Sequence, residues 1–283
     1  MSASDPSAAD SPDLRHLSGR LVLIGAGKMG GALLDGWLRF GLNPVNVTVV
    51  DPQPSPQIAA LSDRGVRLLP DTRGLPRAAA VVFAVKPQNA AEVVPAAAPM
   101  IDASTLVVSI MAGRTLQFLA GALNSQCALV RAMPNTPAAI GRGITVAVAR
   151  GANEKQRELA HGLLAATGAV EWVDDEALMD AVTAVSGSGP AYVFLLAEKL
   201  AQAAIAAGLP PILAEKLARE TVAGSGELLR RSALAAATLR ENVTSPGGTT
   251  AAALKVLMGP NGLGPLMQEA VAAATRRSRE LAG

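Results

Sequence analysis

The chain has 283 residues, half of them hydrophobic but only 2% aromatic, with a net charge of +2. Its length exceeds one typical domain, and the scarcity of aromatic rings and basic blocks argues against nucleic acid or a membrane surface as a partner. A single cysteine, Cys127, excludes an internal disulfide, and with two histidines, His16 and His161, a metal centre has too few ligands. No metal is expected, and a reducing, cytoplasmic location is.

Residues 1–19 are rich in Ser, Ala, Asp and Pro, lack an apolar segment or basic leader, and read as a disordered tail. From Arg20 onward short β-branched runs alternate with Ala- and Leu-rich helical stretches. Strands are expected at 20–24, 46–50, 66–69, 80–85, 105–110, 128–133 and 144–149, with 169–173 as a last edge strand. Continuous apolar runs of this kind suit strands covered on both faces, and their alternation with helices predicts a doubly wound parallel sheet, an α/β Rossmann domain over 20–176.

After Asp174 the strand signal stops. Helices are expected over 177–207 with a break at SGSGP, then 211–231, 233–240, 250–258 and 263–282, an all-α domain over 177–283. The apolar run 181–197 contains Gly187, Gly189 and Pro190, so it is no continuous membrane span. VFLLAEKLAQAAIAA is apolar on more than one face, which predicts burial against a partner subunit.

Five motifs carry candidate chemistry. GAGKMG (Gly25, Ala26, Gly27, Lys28, Met29, Gly30) follows the first strand and opens a helix. There Gly25 serves a tight turn, Gly27 lets a pyrophosphate approach, and Gly30 lets helix and strand pack; the phosphates rest on free helix amides. An ordinary Gly-rich turn is the alternative. Asp51, at the end of the second strand, stands where a ribose-reading acid belongs: it would bond a 2′-hydroxyl and repel a 2′-phosphate, pointing to NADH, or Asp51-Pro52 simply starts a turn. AVKPQN (Val85, Lys86, Pro87) and RAMPNTPA (Asn135) end the fourth and sixth strands, at the edge where open α/β sheets hold ligands. Lys86 is also readable as a solvated charge, and the second loop as a rigid turn. SGSGPAY is an interdomain hinge or a substrate wall. In VTSPGGTT, Ser245, Pro246, Gly247 and Gly248 form a loop and Thr249 and Thr250 open the next helix, so amides and hydroxyls there suit a carboxylate, or one hydroxyl caps the helix.

Together GAGKMGGAL, AVKPQ, RAMPNTPA, AVSGSGPAY and VTSPGGTTAAAL, in this order from about Arg20 to the C-terminus, resemble pyrroline-5-carboxylate reductase. The resemblance implies an N-terminal Rossmann domain and a C-terminal helical domain that interlocks in a homodimer, often within a larger ring. It implies reduction of a small-molecule substrate, 1-pyrroline-5-carboxylate, to L-proline with NADPH or NADH, the last step of proline biosynthesis. By the same resemblance the pyrophosphate lies at Gly25 to Gly30, and the nicotinamide near Val85, Lys86, Pro87 and Asn135. The substrate carboxylate lies on Ser245, Gly248 and Thr249, beside Gly247, with Thr250 the catalytic residue bonded to the ring nitrogen. A protonated cyclic imine is already an electrophile, so orientation and a hydroxyl suffice where His, Cys and metal are lacking. Two positions depart from the family. Ala233 stands where some relatives carry a supporting acid, and Asp51 stands where the family, which more often uses NADPH, has small or basic groups. The competing readings are a reductase of another cyclic imine or ketimine acid and a non-catalytic dinucleotide-binding sensor. A β-hydroxyacid dehydrogenase would need a catalytic lysine, for which Lys199 is the candidate.

Overall fold

The computed structural model describes residues 13–15, 17, 19–123 and 126–282. They fall into two units. One ends at Gly187 and takes in the chain again from Thr275; the other runs Ser188–Ala274.

The first unit contains, in chain order, β1 (Leu21–Ile24), α1 (Lys28–Arg39), β2 (Val47–Val50), α2 (Pro56–Ala59), β3 (Arg67–Leu69), β4 (Ala80–Phe83), α3 (Ala90–Ala97), β5 (Leu106–Ser109), α4 (Leu116–Leu123), β6 (Ala128–Met133), β7 (Gly143–Arg150), α5 (Glu154–Ala165), β8 (Gly168–Trp172) and α6 (Met179–Val182). The strands form one eight-stranded sheet in the order β3-β2-β1-β4-β5-β6-β7-β8. Every expected strand is present, with ends shifted by two residues at most. The sheet is not wholly parallel, however: β7 runs antiparallel to β6. Only residues 134–142 separate them, too few for the crossover that a parallel neighbour requires.

Strands β1, β2, β4 and β5 are buried at every position, which is why their sequences do not alternate. Leu21 and Leu23 of β1 pack with Leu33 and Trp37 of α1 and Leu163 of α5. Val22 and Ile24 belong to a separate cluster with Val94 of α3 and Leu119 of α4. Each large apolar side chain buried in this way stabilises the fold by about 1.5–3 kcal/mol. Trp37 is fully buried, and its Nε1 donates to the Leu163 carbonyl at 2.7 Å. Helices α1 and α5 come close at Gly36, where an added Cβ would stand 2.5 Å from the Ala166 oxygen. Of the expected tail, residues 1–12, 16 and 18 lie outside the described residues. Leu14 is buried and its N–H donates to the Phe40 carbonyl at 3.2 Å, so packing begins ahead of Arg20.

The helical run breaks where SGSGP predicts. Helix α6 passes into a π-helical turn over Thr183–Gly187, and α7 (Gly189–Ala206) restarts with Pro190 in its first turn. The second unit continues with α8 (Pro211–Arg231), α9 (Ala236–Asn242), α10 (Thr249–Leu257) and α11 (Leu263–Ala282), whose last turns are counted with the first unit. In the single chain Val193, Phe194, Leu195, Leu196 and Leu200 of α7 are all exposed, as are Ile212 and Leu217 of α8. Among the described residues no helix is long and apolar enough to cross a membrane.

Candidate active site

The strand order reverses at β1, so the loops leaving β1 and β4 stand side by side at the carboxyl edge of the sheet. Gly25 ends β1 in the left-handed region, at φ +89°, and donates to the Val50 carbonyl at 2.9 Å. A Cβ on Gly25 would lie 2.8 Å from Val85 Cγ1 and 2.9 Å from the Ala84 oxygen, so Val85 is held against this turn. A Cβ on Gly30 would collide with the Gly25 carbonyl oxygen, which lets α1 start directly on the loop. At Gly27 an added Cβ meets nothing within 4 Å. Gly27 is also the N-cap of α1, with no side-chain capping bond and no acid in the first turn. The amides of Lys28, Met29 and Gly30 are therefore helix-end donors without an internal partner. Open space and uncapped amides together fit the pyrophosphate of a dinucleotide.

Asp51 joins this loop. Its Oδ2 accepts from the Ala26 N–H at 2.8 Å and its Oδ1 from the Gln53 N–H at 2.9 Å. One oxygen thus shapes the Asp-Pro turn, as the turn reading expects, while the other holds the Gly-rich loop. Beside it lies a cavity of about 470 Å3, lined among others by Gly27, Lys28, Ser55, Ile58 and Leu61.

Lys86 and Pro87 continue from Val85 into a 3-10 turn over Pro87–Asn89. Lys86 is exposed. The Pro87 carbonyl accepts from Arg114 Nε at 3.1 Å and Nη2 at 2.8 Å, and the Arg114 guanidinium lies 5.0 Å from the centre of the Phe118 ring. Arg114 therefore ties the loop after β5 to the loop after β4. Asn135, after β6, uses its Oδ1 to accept from the Ile144 N–H at 2.9 Å, which fixes the rigid turn before β7.

In the second unit, Ser245 to Gly248 form a turn closed by the Gly248 N–H on the Ser245 carbonyl at 3.1 Å, with Gly247 left-handed at φ +70°. Gly248 is the N-cap of α10, and no side chain caps that helix or places an acid in its first turn. The simple alternative, a Ser or Thr hydroxyl capping α10, is thus not the arrangement adopted. Ser245 and Thr249 are exposed and Thr250 is half-buried. Ala233 lies between α8 and α9 and supplies only a methyl group. Lys199 is bonded to Glu198 at 3.1 Å and Gln202 at 3.0 Å, an exposed cluster rather than a poised base.

Sequence reasoning passed over three residues. One is Arg114. The others are Arg131, which is buried, and Glu176, whose Oε1 accepts from Arg131 Nη1 at 2.9 Å and from the Leu116 N–H at 2.8 Å. A charged side chain inside the apolar strand ALVRAM was the available signal, because such a group is rarely buried unpaired.

Comparison with known proteins agrees with this architecture. A family model described as pyrroline-5-carboxylate reductase dimerisation matches residues 176–281, and one described as NADP oxidoreductase, coenzyme F420-dependent, matches residues 20–113. The chain is 40% identical over 268 residues to a pyrroline-5-carboxylate reductase of Synechocystis sp., covering 94% of this chain and 99% of that protein. To one of Pseudomonas aeruginosa it is 38% identical over 265 residues, covering 93% and 97%. Its fold superposes on a pyrroline-5-carboxylate reductase from Coxiella burnetii with a TM-score of 0.87 and 34% identity, over 94% of this chain and 100% of that one. The Plasmodium falciparum pyrroline carboxylate reductase solved with NADP bound gives 0.80 and 29%, over 94% and 99%.

Proposed function

The chain belongs to the pyrroline-5-carboxylate reductases, and we propose that it reduces 1-pyrroline-5-carboxylate to L-proline, the last step of proline biosynthesis, with NADPH or NADH as the reductant. The observation that carries this reading is the VTSPGGTT loop: α10 starts on Gly248 with neither a capping side chain nor an acid in its first turn, so its amides are left as donors for an anion. When bound, the dinucleotide supplies the hydride. The residues proposed to hold it are Gly25, Ala26, Gly27, Lys28, Met29 and Gly30 at the pyrophosphate, Asp51 at the ribose, and Val85, Lys86, Pro87 and Asn135 towards the nicotinamide.

For the substrate, the Ser245 hydroxyl and the amides of Gly248 and Thr249 would bind the carboxylate, with the left-handed Gly247 turning the chain between them. The Thr250 hydroxyl would accept a hydrogen bond from the protonated ring nitrogen, orienting the C=N bond. In the reduction the carbon gains hydride, the C=N double bond becomes single, and the nitrogen keeps its proton as part of a secondary amine. No residue need form a bond to the substrate, which suits a loop of hydroxyls and amides.

The exposed apolar side chains of α7 and α8 favour a homodimer built on this helical unit, with residues 20–176 as the dinucleotide-binding part and 177–283 as the substrate and dimerisation part; a ring of such dimers and a cytoplasmic location complete the proposal. The purified protein, mixed with NADH or NADPH and 1-pyrroline-5-carboxylate, is expected to oxidise the dinucleotide and yield proline. Failure to turn over with either dinucleotide would sink the assignment, and faster turnover of a six-membered ketimine acid would move it to the related reductases.

A further inference from the structure

We infer that Asp51 makes this chain prefer NADH to NADPH. The inference rests on the dinucleotide site proposed above and names the part of it that chooses between the two reductants. Asp51 ends β2 and is held twice, by the Ala26 N–H on Oδ2 at 2.8 Å and by the Gln53 N–H on Oδ1 at 2.9 Å. Neither backbone amide neutralises the carboxylate, and each oxygen keeps a further lone pair. Two free acceptor positions on one half-buried acid match the two hydroxyl donors of a ribose diol. A 2′-phosphate offers acceptors in place of a donor and brings about 1.5–2 negative charges of its own. The acid cannot swing aside to admit it without abandoning Ala26, whose amide lies in the loop that shapes the pyrophosphate site.

Cations on the adjoining elements are either distant, exposed or already paired, as Arg73 beyond β3 is with Asp71 at 2.6 Å. Residues 52–57 (PQPSPQ) contain none. Arg67 of β3 pairs with Thr48, three positions back along β2, about 10 Å from Asp51 at the rise of a parallel strand. In the adjoining cavity the cation is Lys28, an exposed chain with no fixed geometry there, while Asp35 in the same lining is already paired with Arg39 at 2.7 Å. A hydrated, mobile ammonium gives up little to a phosphate at physiological salt, whereas a tethered carboxylate in contact repels it strongly.

The test is equilibrium binding of NADH and of NADPH to the intact protein, without the imine, by titration calorimetry. NADH is expected to bind tighter by on the order of a hundredfold, the scale of a like-charge contact. Asp51→Asn keeps an acceptor for the Ala26 amide and removes the charge, so it should close most of that gap by tightening NADPH. Lys28→Met should leave the ratio of the two affinities alone. Equal or tighter binding of NADPH by the wild-type protein overturns the inference, as does an Asp51→Asn protein that is folded by circular dichroism and keeps the wild-type ratio. A collapse of the NADPH affinity alone in Lys28→Met would assign the 2′-phosphate to Lys28 and overturn it too. These constants stand apart from the reductase reading: absence of turnover with 1-pyrroline-5-carboxylate would leave them unchanged, and absence of binding by either dinucleotide would overturn the inference with the site.

Discussion

Arg114→Ala should loosen the turn at Lys86 and Pro87, the nicotinamide side of the proposed dinucleotide site, without touching a reacting atom. The side chain gives two hydrogen bonds to one acceptor, the Pro87 carbonyl, at 3.1 and 2.8 Å, and stacks 5.0 Å from the Phe118 ring. A hydrogen bond from a charged donor contributes about 1.5–3 kcal/mol, and two on a single oxygen do not add in full. The cation–π contact adds about 0.5–1 kcal/mol at a partly exposed site. Removing both therefore releases about 2–4 kcal/mol of restraint on the turn at Lys86 and Pro87. If half of that is needed to hold the turn in its binding form, KM and Kd for the dinucleotide rise by about 5–30-fold. Steady-state kinetics with each substrate varied in turn, alongside direct dinucleotide binding, read the effect. KM for the imine should stay near wild type, and Arg114→Lys, which keeps one donor, should recover part of the loss. A folded Arg114→Ala protein whose dinucleotide KM and Kd match wild type, with only its melting temperature lowered, would refute the reasoning and leave Arg114 a stability residue.

Thr250→Ala should lower kcat/KM by about a hundredfold, the scale of misplacing a reacting group, with helix content unchanged because no side chain caps α10; Thr250→Ser should retain most of the rate. Two glycines of the first loop should separate cleanly. Gly30→Ala drives a Cβ into the Gly25 carbonyl and should lower both melting temperature and dinucleotide affinity, whereas Gly27→Ala, with open space at its Cβ, should lower affinity alone. Glu227 on α8 accepts from Arg230 and Arg231, which hold its carboxyl down to about 2. A depressed acid contributes stability above its unfolded value of 4.5 and loses it as pH falls through about 2. The melting-temperature difference between wild type and Glu227→Gln, small at so exposed a site, should therefore be constant down to about pH 4.5 and gone by about pH 2.

The parts legible in the sequence are those where one local pattern decides the outcome. Strands β1, β2, β4 and β5 are covered on both faces, so each appears as a run without polar alternation, broken only by the small hydroxyls Thr48 and Ser109. The direction of β7 depends instead on the length of the link after Met133, which an apolar run does not report. Arg114 was illegible for another reason: its partner is a main-chain carbonyl 27 residues away, and carbonyls leave no mark in the residue string. Arg131 and Glu176 are 45 residues apart, so only the oddity of an arginine within an apolar strand announced that a partner existed. Asp51 was placed correctly at the strand end, yet its bond to Ala26 depends on a loop closing back over β2, which spacing alone does not contain.

The same distinction explains why VTSPGGTT supported two readings, of which the structure does not adopt the capping one. A capping hydroxyl and a ligand-binding hydroxyl require identical residue types at the start of a helix, so composition cannot separate them. Their backbone differs, because a capping Ser or Thr must occupy the N-cap, and here Gly248 occupies it, one residue after the left-handed Gly247. Helix α1 begins in a comparable way, with Gly27 at the N-cap, the left-handed Gly25 two residues ahead and no acid in the first turn. By contrast α5 begins with Asn153 capping the Gln156 amide, Gln156 returning the bond, and Glu154 in its first turn. A glycine at the N-cap gives up a side-chain acceptor and gains close access for something else to the same amides, and an anion drawn there is favoured by about 0.3–1 kcal/mol of helix-dipole energy at an exposed end. On the proposed reading the approaching group is a pyrophosphate for α1 and a carboxylate for α10, so a glycine at the N-cap would serve both halves of the substrate pair by the same local device.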